Sequence, residues 1–591
     1  MYARGKGAVL KKPKNTKGTL IRLLKYIGDF KWILLIVVLL SLTSNMLALL
    51  GPSLAGKAIK EASAGIGNVD FEKVYYHAIR MLCYYVISSL LSICISVIMM
   101  HVSRRIGEKM RKDIFAKLMK LPIRFFDNNQ AGDIISRVSY DVDVVSTSIG
   151  TDIVAILTSG VTIVGSFIMM SYISPLLSLV SVVTILIAVV YTVKIRKVTQ
   201  PRFAKRSKQY GMMNGFVEEM FSGQKSIVAY AYEDEVCNKF DKINHETADA
   251  YYDAAHYAMM MGPTVMFINN VGLSLTALFG SLLYMRGLID LGGISSFVLY
   301  SRKFSGPINE IAGITTEIYS ALSAAERIFS LYDEVEELAD QLEAVELTDA
   351  KGLVQFKQVS FGYDRNKTII HNLNLDVEAG KVIAIVGPTG AGKTTIINLL
   401  MRFYDVNEGS VSVDGRKIQD YTRESLRKNY AMVLQDTWVF QGTIFDNIAY
   451  GKENATMEEV VAAAKAAHIH PFIMRLPKGY DTVISEDGGN ISKGQKQLLT
   501  IARAMLYNSN MLILDEATSN VDTSTEHQIQ NAMKELMKGR TCFVIAHRLS
   551  TVQNADMILV VDHGDIVEQG NHEQLMKTKG VYYNLYSAQF E

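Results

Sequence analysis

The chain runs to 591 residues, too long for a single hydrophobic core, so two or more domains are expected. Lysine and arginine number 61 against 59 aspartates and glutamates, and the resulting net charge of +2 argues against nucleic acid as the main partner. Hydrophobic residues make up 49% of the chain and gather in its first half as long uncharged runs, which indicates a membrane protein and excludes a wholly soluble one.

The basic lead between Arg4 and Lys17 precedes an apolar run too long for the core of a cleavable signal, so the first span is expected to stay as an anchor. Residues 32–56, 81–101, 153–193 and 254–285 carry no formal charge, and a bilayer crossing takes about 20 such residues. The third run is double length and is broken at Ser174-Pro175, which predicts two spans, 153–173 and 176–193, joined by a tight hairpin. A sixth span, 291–322, contains Arg302, Lys303, Glu310 and Glu317. At about 100° per residue these four fall within roughly a third of the helix circumference, a face expected to line water. Basic residues crowd the N-terminus and the stretches 104–137 and 194–242, which places those segments and the N-terminus in the cytosol. Only an even number of crossings then returns the second half of the chain to the cytosol, which favours six.

A helix running unbroken from residue 81 to about 125 would measure roughly 65 Å, so the spans are expected to project beyond the membrane. Their lower turns, 125–133 and 223–232, combine aromatic and polar groups suited to docking on another domain. An acidic stretch from Asp333 through Asp349 lacks a strong apolar period and reads as a linker. The expected division is a membrane domain over 1–335, a linker over 336–350 and a nucleotide-binding domain over 351–591. The cysteines, Cys83, Cys94, Cys237 and Cys542, show neither zinc nor disulfide spacing and are expected to be free, buried thiols.

In the second half, residues 354–361 and 372–377 alternate like half-buried antiparallel strands, whereas 382–386 and 511–514 are continuous apolar strands of a buried parallel sheet. Directly after the first of these buried strands comes Gly387-Pro388-Thr389-Gly390-Ala391-Gly392-Lys393-Thr394-Thr395, which fits the P-loop pattern at every fixed position. Glycines there let backbone N–H groups close around phosphate oxygens at a helix N-terminus, with Lys393 on the terminal phosphates and Thr394 on Mg2+. The strand ending at Leu514 leads into Asp515 and Glu516. The first carboxylate can reach Mg2+ through water, and the second can orient or deprotonate the attacking water, so ATP hydrolysis is implied.

Between the P-loop and these carboxylates stands Ile491-Ser492-Lys493-Gly494-Gln495, which resembles the signature of ABC-family ATPases. The resemblance extends to Tyr363 as the adenine-stacking residue, Gln435 as the Q-loop glutamine, Ser519 to Asp522 as the D-loop and His547 as the switch histidine. Six spans fused ahead of such a domain are similar to a half-size ABC exporter of the multidrug and lipid type. The fold class implied is a polytopic α-helical membrane domain of six long helices followed by an α/β P-loop ATPase domain with an antiparallel β subdomain. It also implies that two nucleotide domains close head to tail, so that Ser492, Gly494 and Gln495 meet the partner's nucleotide. Glu516 is then the general base, His547 the γ-phosphate stabiliser, and Gln435 a link between Mg2+ and the membrane domain.

Lys493 stands where the signature has its first glycine and Ile491 where it has leucine, which favours a heterodimer with a second half-transporter over a homodimer. The expected activity is ATP-driven export of a small amphipathic substrate (drug, lipid or peptide) across the cytoplasmic membrane. Asn269-Asn270 adds polar lining without choosing among these substrates. An ABC-type ATPase of DNA maintenance or translation is disfavoured by the fused spans, and an ATP-gated channel is the remaining rival.

Overall fold

The computed structural model describes residues 15–65, 67–364, 367–435, 437–485, 489–515, 522–546 and 549–590; one compact unit holds the chain up to Leu121 and Phe126–Glu336, and the other holds Pro122–Phe125 and the chain from Glu337. The first unit is helical: α1 (Thr16–Ile27), α2 (Lys31–Ala62), α3 (Phe71–Leu118), α4 (Ile123–Asn128), α5 (Ala131–Ser136), α6 (Val142–Ile173), α7 (Pro175–Ser222), α8 (Gln224–Ala229), α9 (Glu233–Met285) and α10 (Leu291–Tyr332). Six of these are long. Their starts follow local capping chemistry: Asp70 accepts from the Lys73 N–H at 3.1 Å to begin α3, and Asp290 accepts from the Gly293 N–H at 2.7 Å to begin α10. Ser174 caps α7, whose first residue is Pro175, so the double-length apolar run does turn there.

Among the described residues, five of the long helical segments are long and apolar enough to cross a membrane, and α10, with its charged residues, falls outside that set. The unbroken helix expected from residue 81 to about 125 is instead α3, which begins at Phe71 and ends at Leu118, and the residues to 125 form a separate short turn and helix. Its 48 residues measure about 72 Å.

Two further sequence expectations need correcting in this unit. Lys303 leaves the charged face of α10: it is half-buried and donates to the Ala48 carbonyl of α2 at 2.8 Å, while Arg302, Glu310 and Glu317 are exposed. The reason is a neighbouring helix that offers an open carbonyl acceptor, which no periodicity within α10 reveals. The four cysteines are free, but only Cys542 is buried; Cys83, Cys94 and Cys237 are exposed. For Cys83 and Cys94 the reason is that a membrane helix turns apolar residues outward to lipid, so apolar character there does not imply burial.

The second unit carries β1 (Val354–Phe361), β2 (Ile370–Val377), β3 (Val382–Val386), β4 (Glu408–Val413), β5 (Arg416–Lys417), β6 (Tyr430–Val433), β7 (Gly442–Thr443), β8 (Val483–Ile484), β9 (Met511–Asp515), β10 (Thr541–Ile545), β11 (Met557–Asp562) and β12 (Asp565–Gly570). An antiparallel sheet has the order β2-β1-β4-β5, and a six-stranded sheet has the order β12-β11-β3-β10-β9-β6, parallel from β11 to β6. The first shows the alternation read from 354–361, with Val354, Phe356, Val359 and Phe361 buried. In the second, β9 and β10 are buried on both faces, which is why they read as unbroken apolar runs.

The acidic linker is not a bare spacer. At its start Asp333 pairs with Arg22 at 2.6 Å, within the helical unit. Further on, within the ATPase unit, Glu337 pairs with Arg427 at 2.6 Å, and Asp340 pairs with Arg423 at 3.0 Å and Arg402 at 3.5 Å. Arg402 and Arg423 are buried, so these carboxylates compensate charge held out of water.

Candidate nucleotide site

The parallel strands bring the candidate residues to one sheet edge. The registers Ile385 to Ile545, Ile545 to Asp515 and Val433 to Leu514 set the carboxyl ends of β3, β10, β9 and β6 side by side. From that edge β3 leads into Gly387, β9 ends on Asp515, and β6 leads within two residues to Gln435, which is exposed. An open crevice at the carboxyl ends of parallel strands is where α/β sheets bind ligands. Glu516, His547 and Ser519 to Val521 lie outside the described residues.

The loop after β3 has the backbone that its glycines permit. Gly387, Gly390 and Gly392 take φ of 150°, 84° and 106°. A Cβ on Gly387 would lie 2.0 Å from the Val561 carbonyl oxygen, so only glycine fits, whereas Gly390 has open space around it. Pro388, Thr389 and Gly390 form an exposed crown, and Ala391 and Gly392 lead into α11 (Lys393–Leu400). The unpaired N–H groups of that helix start face the loop and favour an anion. Lys393 is buried among the loop's own atoms, its ammonium donating to the carbonyls of Gly387 at 2.8 Å and Pro388 at 2.9 Å. Burial lowers the Lys393 pKa, and Asp515 opposes that shift, which places the cation within the field of the strand-end carboxylate.

Thr394 is exposed beside it, and Thr395 is buried. The described residues contain no cluster of three or more His, Cys, Asp or Glu able to cage a metal. The donors at this edge are one hydroxyl, one carboxylate and one amide, an oxygen set that fits a Mg2+ shared with phosphates and water.

Tyr363 lies against α11: its hydroxyl accepts from Asn398 Nδ2 at 3.0 Å and donates to Thr395 Oγ1 at 3.3 Å. Its ring is half-buried and meets Tyr404 at 4.8 Å and 84° and Phe361 at 5.1 Å and 84°. Tyr404 and Asn398 were not legible as site residues, because neither belongs to a spaced motif; only packing brings them to Tyr363.

The signature segment sits elsewhere in the unit, at the N-terminus of the helix Lys493–Tyr507. Ser492 caps that helix: its hydroxyl accepts from the Gln495 N–H at 3.2 Å, and Gln495 Oε1 accepts from the Ser492 N–H at 2.8 Å. Gly494 is buried, and Lys493 is exposed at the first helical position, where its charge opposes the helix dipole. The signature helix packs on β6 and on the helices Ile444–Ala449, Met457–Ala466 and Thr523–Met537. Arg503 of the same helix donates to the carbonyls of Asn447 at 2.9 Å and Trp438 at 3.2 Å, tying the signature helix to the segment that follows Gln435. Asp522 caps the helix Thr523–Met537 through the Thr525 N–H at 2.9 Å, and that bond holds its carboxyl below the usual range.

A phosphate cradle on a parallel sheet, a capped signature helix and a fused bundle of long apolar helices define a membrane transporter driven by a P-loop ATPase. Residues 34–308 match the ABC transporter transmembrane region, and residues 370–519 match the ABC transporter domain. The chain belongs to the ABC transporter family, as a half-transporter that couples ATP hydrolysis to transport. It is 42% identical over 580 residues to the uncharacterized ABC transporter ATP-binding protein YfiC of Bacillus subtilis (strain 168), covering 98% of this chain and 96% of that one. A fatty acid ABC transporter ATP-binding/permease protein of Mycobacterium tuberculosis (strain CDC 1551 / Oshkosh) is 43% identical over 480 residues, covering 81% of this chain and 76% of its own. An ATP-dependent lipid A-core flippase of Idiomarina loihiensis is 33% identical over 580 residues, covering 97% and 98%. Among solved structures, a bacterial Atm1-family ABC exporter with ATP bound is similar with a TM-score of 0.77 and 28% identity, over 95% of this chain and 99% of that one.

Proposed function

We propose that the chain exports an amphipathic, lipid-like substrate across the cytoplasmic membrane by alternating access, as one subunit of a heterodimer. The observation that carries this reading is the phosphate cradle fused to a bundle of long apolar helices in a chain of the ABC transporter family; the head-to-tail closure that the resemblance implies makes a composite nucleotide site need a second chain. ATP sits with its phosphates in the 387–395 loop, cradled by backbone N–H groups and Lys393, and with its adenine against Tyr363. Thr394, Asp515 and Gln435 would hold Mg2+, which neutralises phosphate charge when bound. Glu516 takes the proton of the attacking water, His547 stabilises the γ-phosphate, and Asp522 orders the segment that faces the partner. Ser492, Gly494 and Gln495 present a helix N-terminus to the partner's nucleotide.

Lipid-like substrates are supported by two relatives whose names specify fatty acid and lipid A-core. The water-facing charges of Arg302, Glu310 and Glu317 would meet a head group, because charge in an apolar span is costly unless it lines an aqueous path. The sixth crossing by α10 and a cytosolic ATPase domain complete the topology, with residues 1–335 as the membrane domain, 336–350 as the connection and 351–591 as the ATPase domain. The exposed aromatics Tyr230 and Tyr232 beside α8 suit one turn for passing nucleotide-driven closure to the spans.

The heterodimer rests on Lys493, whose cation stands at a helix start that must approach the opposing triphosphate. The test is reconstitution into sealed vesicles with and without candidate partner chains, scored by ATPase activity and by ATP-dependent movement of fluorescent fatty-acyl and phospholipid tracers. Accumulation against a gradient with a partner, and little activity alone, is the expected result; full activity of this chain alone would overturn the heterodimer, and downhill flux only would favour a channel.

A further inference from the structure

The strongest feature outside the nucleotide site is the meeting of α2 and α10 at Pro52. Proline inside a helix supplies no N–H to the carbonyl four residues earlier, and its ring opens the turn around it. In α2 the carbonyl left without that donor is that of Ala48, and Leu49 is its neighbour in the same turn. Both receive a donor from α10: Lys303 Nζ reaches the Ala48 oxygen at 2.8 Å, and the Tyr300 hydroxyl reaches the Leu49 oxygen at 2.6 Å. Ser296 Oγ adds a bond to the Pro52 carbonyl at 3.0 Å. Positions 296, 300 and 303 share one face of α10, so the helix presents a row of three donors to the bend.

The surroundings fit a built joint. One turn beyond, the backbones touch: a Cβ on Gly292 would lie 2.2 Å from the Gly56 carbonyl oxygen. Tyr85 of α3 closes over Gly51, and the Lys303 ammonium lies 5.5 Å from the Tyr85 ring. Pro307 interrupts α10 itself four residues after Lys303. Tyr300 is fully buried. A lysine in an apolar span is expensive to keep unless its charge finds an acceptor, and the acceptor here exists because Pro52 created it.

We propose that Lys303, supported by Tyr300, is a positioning residue that clamps the Pro52 bend of α2 onto α10, so that the two helices switch together during the ATP-driven cycle. The helix α10 ends at Tyr332 and runs directly into the ion-paired connection to the ATPase unit, so it is the covalent route by which nucleotide closure reaches the membrane half. The clamp extends that movement to α2. Without it the Ala48 carbonyl is an orphan in an apolar setting and the bend is free to close or open independently.

This rests on the alternating-access reading, and the test separates the two. In full-length protein reconstituted with its active partner, with Cys83, Cys94 and Cys237 changed to serine, Gly313→Cys puts a thiol on the exposed charged face of α10, where nothing lies within 4 Å. The readout is the ratio of its reaction rates with a water-soluble maleimide in the presence and absence of ATP and vanadate. Lys303→Met is expected to shrink that ATP-dependent ratio by about tenfold, the order expected for losing one donor to a buried carbonyl. Pro52→Ala restores an N–H to Ala48, so the double variant Pro52→Ala/Lys303→Met is expected to recover the ratio to within about twofold. If Lys303→Met alone does not accumulate, the same rescue is read in the yield of assembled protein. Lys303→Met switching like its parent, or a double variant no better than the single one in either readout, overturns the clamp. A parent with no ATP-dependent ratio instead defeats alternating access.

Discussion

Replacing Asp340 by alanine tests whether the acidic connection is structural. Its Oδ1 accepts from Arg423 at 3.0 Å and Arg402 at 3.5 Å, and its Oδ2 accepts from the Arg423 backbone N–H at 3.0 Å. Both arginines are buried, and removing one member of a buried charged set costs more than removing an exposed one. The loss is partial, because Arg402 keeps Asp405 at 3.1 Å and the carbonyls of Ile418 and Tyr421, and Arg423 keeps Asp405 at 3.3 Å. A hydrogen bond to a charged group is worth about 1.5–3 kcal/mol, so Asp340→Ala should cost the ATPase unit about 2–3 kcal/mol. For a unit of this size that lowers its melting midpoint by about 4–12 °C. The two tryptophans are Trp32 and Trp438, so in a Trp32→Phe background tryptophan fluorescence reports the ATPase unit through Trp438. The control is Glu424→Ala, which removes an exposed pair with Lys428 and should leave the midpoint within about 1 °C. Equal midpoints for the two variants would refute the reasoning.

Glu516→Gln should bind ATP normally and hydrolyse it at least about a hundredfold more slowly, and turnover near that of the parent would remove Glu516 as the base. Lys493→Gly restores the signature glycine and should raise the ATPase rate of this chain expressed alone; an unchanged rate would show that Lys493 does not limit the composite site. Burial pushes the Cys542 thiol up to about 12, so it stays protonated through pH 8 to 10, where an ordinary thiol becomes thiolate. Iodoacetamide at pH 8.5 should therefore modify the exposed Cys237 and leave Cys542 intact until the domain unfolds, as read by mass spectrometry.

The sequence by itself determined what depends on neighbours along the chain. Glycines at 387, 390 and 392 announced a loop closing around phosphate at a helix start, and all three take positive φ values that favour glycine. Uncharged runs announced the first five spans, and alternation against continuity separated the antiparallel strand at 354–361 from the buried parallel ones. What only the tertiary structure decided are pairings across long separations: Glu337 with Arg427, Asp340 with Arg423, Tyr363 with Asn398 and Tyr404, and Lys303 with Ala48. An exposed-looking charge or ring in one element carries no mark of the partner that another element will bring to it. Lys303 shows the physics most directly. Its period placed it among water-facing charges, but a carbonyl opened by a proline more than 250 residues earlier offered a nearer acceptor, and the ammonium went there.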